Sequence, residues 1–600
     1  MTTSKKKIGA ALGISFALGV AALTGCSAIS DAVASDDATD DATQTASTTS
    51  LTDTVDDVIA ANSDQTVTKD DEWSADDAVD VTLSGTGATS DSDAVTSEDG
   101  TVTITAAGVY RVSGDLTGQL VVDAADDALV VLILDGATIT SDSAAAIQVD
   151  TADDIAIYLQ DGTTNGVTTT GTLPDDADAA IYSTQDLTIS GTGGLTVSSP
   201  ADGIKSKDDL VILSGTIDVT SSDDAIRGND SLTVRGGTIT VDGGGDGLSS
   251  QQDEDATQGW VEIDDGTVTI TAGSDGIDGY TDVIVVGGTI TIASDEGIEA
   301  GTIAIGGGTL DITTTDDGLN GSAGKSSEDT TTDEGAAADA PADDAAADGT
   351  APTPGADGTM PTAGADGQMP QGGPGGDAGG GPGGQTDGAM PTDGAMPTDG
   401  AMPTDGADGG QMTQGGGGMG GGMQDSGEVI LIQGGTLTIN AEGDGLDSNG
   451  GMAISGGDIT VYGPTRADNG GLDTNGTFTI SGGTLVALDA GGMTETPGTD
   501  SEQGWIATTA SGSEGSTVEI ADADGNVIAS YTSEKTFGAV VFSSADITTG
   551  EEYTVTVDGT STTTTAGTSD VSGGMMGGGQ GGGQGGPDAT QATPEATAEN

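Results

Sequence analysis

Apolar and polar positions alternate with a period of two through most of the chain, in runs of four to six residues rich in Thr, Ile and Val. Such runs predict short β-strands with one buried face. Many come in pairs around a Gly doublet, as in LTVRGGTITV, VIVVGGTITIAS, IAIGGGTLDIT, VILIQGGTLTIN, MAISGGDITVY and FTISGGTLVAL. Between these pairs a second phrase recurs: DAAIYS, DGIKSK, DDAIRGND, DGLSSQ, DGIDGY, EGIEAG and DGLNGS. Its acid falls at Asp178, Asp202, Asp224, Asp246, Asp275, Glu296 and Asp317, in steps of 24, 22, 22, 29, 21 and 21 residues. It returns as DGLDSN at Asp444 and as GGLDTN at Gly470, where Gly replaces the acid. A fixed period in the low twenties, made of strands and Gly turns, predicts a solenoid. Three short strands per period predict an all-β, right-handed parallel β-helix, with coils stacked at about 4.8 Å.

Stacking turns equivalent positions into columns. The Ile or Leu that follows the acid is expected to point inward: Ile181, Ile204, Ile226, Leu248, Ile277, Ile298, Leu319, Leu446 and Leu472. The acid and the residue after the Ile are expected to point outward. The latter column reads Tyr182, Lys205, Arg227, Ser249, Asp278, Glu299, Asn320, Asp447, Asp473. It changes from basic to acidic along the chain.

Carboxylates stacked about 5 Å apart repel by about 0.8 kcal/mol per pair in water and several-fold more near a protein surface. Hard oxygen ligands in such number suit Ca²⁺. Candidate ligands are Asp202, Asp223, Asp224, Asp246, Asp275, Asp278, Glu296, Glu299, Asp316, Asp317, Asp444, Asp447 and Asp473. The competing reading is that these acids cap turns and face water.

The flanking segments differ in kind. Residues 1–26 read as a lipoprotein signal peptide: Lys5 to Lys7, then an apolar stretch to Leu23, then Leu23-Thr24-Gly25-Cys26. Cys26 is the single Cys, the expected lipidation site, and it permits no internal disulfide. This places the protein on the extracellular face of the bacterial cell membrane, held by lipid alone. Residues 27–72 lack apolar periodicity and are expected to be a disordered tether. The first part of the β-helix spans 73–320, its irregular early strands capping the core. Residues 321–427 are rich in Gly, Asp, Pro, Ala and Met, with AMPTDG repeated, and are expected to be a disordered insertion. The last coils span 428–493, a small C-terminal β-cap 494–558, and a disordered tail 559–600.

Composition narrows the function. The chain has 12 Lys and Arg against 98 Asp and Glu, a net charge of −86, so a nucleic-acid partner is excluded by repulsion. The absence of His, together with the single Cys, removes Ser–His–Asp triads, Cys–His pairs and His-ligated zinc. Four of the few basic residues are near in sequence: Lys205, Lys207, Arg227 and Arg235. They are candidate contacts for a polyuronate, with Ca²⁺ bridging its acid groups. The alternative is that Lys205 and Arg227 neutralise Asp202, Asp223 and Asp224. Aromatic residues are 2% of the chain. Trp260, in a lengthened coil, is a candidate sugar contact or an edge residue covering the core.

At this point a family resemblance enters. GVYRVSGDLTGQLVVDA, LVVLILDGATITSDSAAAIQVDTADDIAIYLQDGTTNGV, DGIKSKDDLVILSGTIDV and AVVFSSADITTGEEYTV resemble the carbohydrate-binding domain-containing family of secreted bacterial β-helix proteins. The resemblance covers roughly residues 80–320 and 428–558. It implies a pectate-lyase-like fold, calcium binding, and affinity for polygalacturonate and cellulose. The leading expectation is thus a monomeric, calcium-dependent binder of acidic polysaccharide. The alternatives are a calcium-dependent polysaccharide lyase, with Arg227 as base, and a structural surface protein or adhesin.

Overall fold

The computed structural model describes residues 49–63, 65–174, 177–322 and 426–571. Among the described residues the chain is nearly all β. Thirty-seven strands join one large, mostly parallel sheet, and four form a second, antiparallel one.

The repeat is visible in the pairing. Through the repeats, strands pair in parallel with their counterparts one period on, so three ladders run side by side. In the first ladder Ile181 sits on Ile204, Ile204 on Ile226, Ile226 on Leu248, and Leu248 on Ile277. The column continues through Ile298, Leu319, Leu446 and Leu472. All nine are almost completely buried. At about 1.5–3 kcal/mol for burying each such side chain, these columns dominate the cohesion of the body. The column expected to face outward is likewise in register, from Tyr182–Lys205 and Lys205–Arg227 to Asp278–Glu299 and Asp447–Asp473, but Tyr182, Lys205, Ser249, Asp278, Glu299 and Asn320 are buried rather than open to water. The first member of the acid column differs. Ala179, not Asp178, pairs with Asp202, because DAAIYS carries one more residue before its Ile.

Two glycine positions are needed for this stacking. The doublet between the second and third ladders turns through a left-handed residue, as at Gly288 (φ 89°) and Gly308 (φ 86°), which a side chain disfavours. The Gly after the acid is a close-approach site. A Cβ on Gly247 would lie 2.3 Å from Ile270 Cγ2 and 2.5 Å from the Gly276 carbonyl of the next rung.

Strands Leu319–Gly321 and Val429–Ile432 lie on either side of the expected insertion. They pair with the two halves of the same preceding strand, Glu296–Ile305. One rung is therefore completed by residues more than a hundred positions apart. The insertion itself falls outside the described residues, except for its first two and last two positions.

Two expected boundaries move. Residues 49–63 and 65–72 are not a tether. Thr54 caps a helix, Val55–Ala61, through a capping box with Asp57. Val55 and Val58 pack on Ile284, Ala304, Val429 and Leu431. Two Val residues three apart made too short an apolar pattern to read as a helix; tertiary packing supplies what propensity does not. Further along, Thr68 N–H donates to Thr188 Oγ1 (3.0 Å) and Trp73 meets Tyr158 edge-on. At the other end the cap runs beyond residue 558. Thr560–Thr565 pairs antiparallel with Glu552–Val557. Asp558 and Gly559, both at positive φ, form the tight turn between them. The Thr run looked like low complexity, yet Thr is a strand former at a sheet edge.

Candidate metal and ligand site

Asp recurs in the acid column because its side chain is short enough to reach the next rung. Asp202 Oδ1 accepts the Asp224 backbone N–H (3.2 Å), Asp224 Oδ1 that of Asp246 (2.9 Å), and Asp246 Oδ1 that of Asp275 (3.1 Å). Farther on, Asp317 accepts the Asp444 N–H (2.5 Å) and Asp444 accepts that of Gly470. Gly470 ends the relay: it donates and has no carboxylate to offer. Each such Asp therefore stitches two rungs with one oxygen, leaving the other for its neighbours in the column.

Those second oxygens and the adjacent column converge. Ligand atoms of Asp202, Asp223 and Asp224 lie within 4.8 Å of one another, as do those of Asp246, Asp275 and Asp278. The same holds for Asp275, Glu296 and Glu299, and for Asp444, Asp447 and Asp473. Among the described residues Asp316 and Asp317 join no such trio.

The electrostatic strain is large. Burial, then the charges of Asp246, Glu299, Asp278 and Glu296, push Asp275 up to about 10. Burial and Asp224 raise Asp246 to about 7, and burial with Asp246 and Glu299 carries Asp278 well above the ordinary range. Burial raises Asp317 to about 8, Asp447 to about 7 and Asp444 to about 6; neighbouring Asp charges push each the same way. Asp202 reaches about 7, burial outweighing the attraction of Lys205.

Two amides border these groups. Asn320 is buried and donates Nδ2–H to Glu296 Oε2 (2.8 Å), while its Oδ1 has no hydrogen-bond partner. Gln251 donates to Asp278 Oδ2 (3.1 Å), and its buried Oε1 also lacks a partner. The Ser322 hydroxyl donates to Glu299.

The basic residues are engaged by the protein itself. Lys205 Nζ lies 2.8 Å from Asp178 Oδ2 and 2.7 Å from Asp202 Oδ2. Arg227 lies 3.6 Å from Asp224. Arg235 is held by Asp264 (3.8 Å) and Gln65 (2.9 Å), at the far end of strand Ser231–Val234. Lys207 is exposed. The four thus do not form one basic rung. Of the two roles expected for Trp260, the sugar contact falls and the core cover stands: only 3% of it is exposed, so no sugar can stack on its face. Trp505 is buried likewise.

One group escaped the sequence reading: Asp186, Asp208 and Asp209, again within 4.8 Å. They stand at the start of the second ladder, under the N-terminal segment, where Thr66 N–H donates to Asp209 Oδ2 (2.9 Å). Burial and the neighbouring Asp charges raise Asp208 to about 7. The signal was present. An acid precedes the second strand in TADDIAI, TQDLTI, SKDDLVI and GNDSLTV.

Residues 98–345 match the model of the family described as carbohydrate-binding domain-containing protein. A carbohydrate-binding domain-containing protein of Acetivibrio thermocellus is 39% identical over 119 residues, covering 18% of this chain and 42% of the relative. The chain therefore spans less than half of that relative's length. Among solved structures, a polysaccharide lyase-like protein from C. thermocellum, solved as a gadolinium derivative, matches with a TM-score of 0.35 and 29% identity. That match covers 40% of this chain and 95% of the other. Among the described residues, several acidic groups have the ligand chemistry for a metal ion.

Proposed function

We propose that this is a calcium-dependent carbohydrate-binding protein built as a right-handed parallel β-helix and held at the bacterial cell surface through lipid on Cys26. The observation that carries the calcium reading is the convergence of carboxylates from successive rungs within 4.8 Å. The donor set is all oxygen, as a hard cation requires. The unpartnered Oδ1 of Asn320 adds a neutral oxygen beside Glu296 and Glu299. Asp202, Asp223 and Asp224; Asp246, Asp275 and Asp278; Glu296 and Glu299; and Asp444, Asp447 and Asp473 would hold the ions. Bound calcium would supply positive charge that neutralises the column and attracts an acidic sugar chain.

Acidic polysaccharide fits this reading through the metal rather than through Lys205 and Arg227, whose charge is spent on Asp178, Asp202 and Asp224. The group at Asp444, Asp447 and Asp473 is partly exposed and so within reach of a bridging uronate. Three period-spaced parallel ladders support the β-helix, and parallel crossovers are right-handed almost without exception. The lipid anchor is supported by Leu23-Thr24-Gly25-Cys26, which lies outside the described residues. Among the described residues no helix is long and apolar enough to cross a membrane.

The test is retention of the pure protein on insoluble polygalacturonate and on cellulose, with calcium and with EGTA. Chelator-sensitive retention on polygalacturonate supports the proposal. Retention indifferent to EGTA refutes the calcium step. Unsaturated product absorbing in the ultraviolet would show a lyase instead.

A further inference from the structure

The third ladder presents a surface that the calcium reading does not use. Its strands alternate buried Ile, Val or Leu with outward residues, mostly Thr, in the pattern Thr-x-Thr. Thr216, Thr238, Thr267, Thr289, Thr309 and Thr436 are paired in one unbroken column, and all are exposed. A second outward column two residues along carries Thr240, Thr269, Thr291 and Thr438, with Asp218 at the first rung and Asp311 at the fifth. No register shift interrupts any of these pairings, whereas the neighbouring pair Asp275–Val285 with Glu296–Ile305 carries one. The result is a two-dimensional lattice of hydroxyl and methyl groups. It repeats at about 4.8 Å between rungs and about 6.7 Å along each strand. The first column is about 24 Å long over its six rungs, and both columns carry Thr on the three consecutive rungs that begin at Thr238, Thr267 and Thr289.

The charge distribution singles this face out. The chain carries −86, yet rungs Thr267–Thr271 and Thr289–Ser294 show no charged outward residue. Asp218, Asp242 and Asp311 stand toward its edges or singly within it. A hydrated polyanion or polycation has nothing to pair with on the central rungs. A sugar crystal presents the C–H faces of its rings, which are met by aromatic side chains; the outward positions of rungs 216 to 313 carry none. Thr offers one donor, two acceptor lone pairs and a methyl, held stiff by its branched Cβ. A rigid lattice of that kind matches an uncharged solid whose surface is itself a lattice of hydroxyl groups spaced by a few ångströms. We propose that the third ladder is an ice-binding face, its Thr hydroxyls taking water positions of the crystal and its methyls ordering the water between them.

The test uses the full chain in buffer with calcium. Ice recrystallisation and crystal shape are recorded by nanolitre osmometry for the wild type, Thr269→Tyr, Thr291→Tyr and, as a control on another face, Asp126→Asn. The wild type and the control are expected to shape crystals and slow recrystallisation at micromolar concentration. Each Tyr variant is expected to lose at least tenfold in activity. All four should share one far-ultraviolet circular dichroism spectrum and melting temperature, because the substituted positions are exposed. Ice growth unaffected by the wild type overturns the proposal, as do Tyr variants that remain fully active. Loss of retention on microcrystalline polysaccharide in the Tyr variants, without ice shaping by the wild type, would show the face to be a sugar plane. Polygalacturonate retention in the same samples reports separately on the calcium reading and is expected to be unchanged.

Discussion

Replacing Asp278 by Asn should change the sign of its effect with calcium. Asp278 shares a group with Asp246 and Asp275 in which ligand oxygens lie within 4.8 Å. At that separation a pair of unit charges repels by about 0.9 kcal/mol in water and about 3.5 kcal/mol at the effective dielectric of a protein surface. Asp278 takes part in two of the three pairs. Burial and these like charges raise all three carboxylates, Asp246 to about 7 and Asp275 to about 10, so the group holds protons at neutral pH and part of the repulsion is already relieved. The lower figure, counted over two pairs, then sets an upper bound of about 2 kcal/mol on what removing the charge relieves. Asn keeps the shape and can still accept the bond from Gln251. In EGTA, therefore, Asp278→Asn should be more stable than wild type, by up to about 2 kcal/mol. In calcium the same change removes a ligand. Loss of a site filled at a hundred times its dissociation constant forfeits about 2.7 kcal/mol, so the variant should now be the weaker protein. Urea unfolding followed by circular dichroism, in both buffers, measures the two differences. Asp126→Asn, an exposed acid in none of the carboxylate groups, is the control and should move neither. A variant that is destabilised equally with and without calcium would refute the reasoning, since the carboxylate would then be only a structural acceptor.

Other consequences are open to direct measurement. In EGTA, stability should fall as pH rises from about 4 to 8. Asp246, Asp317 and Asp447 have native pKa values of about 7 to 8 against an ordinary 3.8, so the native state holds more protons over that window. Saturating calcium should flatten or reverse the slope; a melting temperature that rises with pH in EGTA would contradict the assignment. Trp260→Ala should cost about 3–5 kcal/mol of stability while leaving polysaccharide retention per folded molecule unchanged, because the ring is buried. Val58→Asp should release residues 49–63 from Ile284, Ala304, Val429 and Leu431. Hydrogen exchange in that segment should rise by at least tenfold, and unchanged protection would show that the helix is held by other contacts. Ile277→Ala should cost about 2–5 kcal/mol, read as a lowered urea midpoint.

What the sequence determined is what repeats. A period in the low twenties with strict alternation fixes which residue lies over which. Ile204, Ile226 and Leu248 share a column because any other register would turn apolar residues to water. The acid and outward columns follow from the same register, which is why the carboxylates that meet at Asp202, Asp246, Glu296 and Asp444 could be named as candidates from the sequence, though not how they group. The tertiary structure decided what depends on reach and cover. Whether Lys205 is offered to a ligand depends on the distance from its Nζ to Asp178 and Asp202. Trp260 is a core cover because neighbouring chain closes over it. The helix at Val55–Ala61 exists because one face finds Ile284 and Val429, residues hundreds of positions away. Periodicity carries register along the chain; burial and charge pairing arise only when distant segments meet.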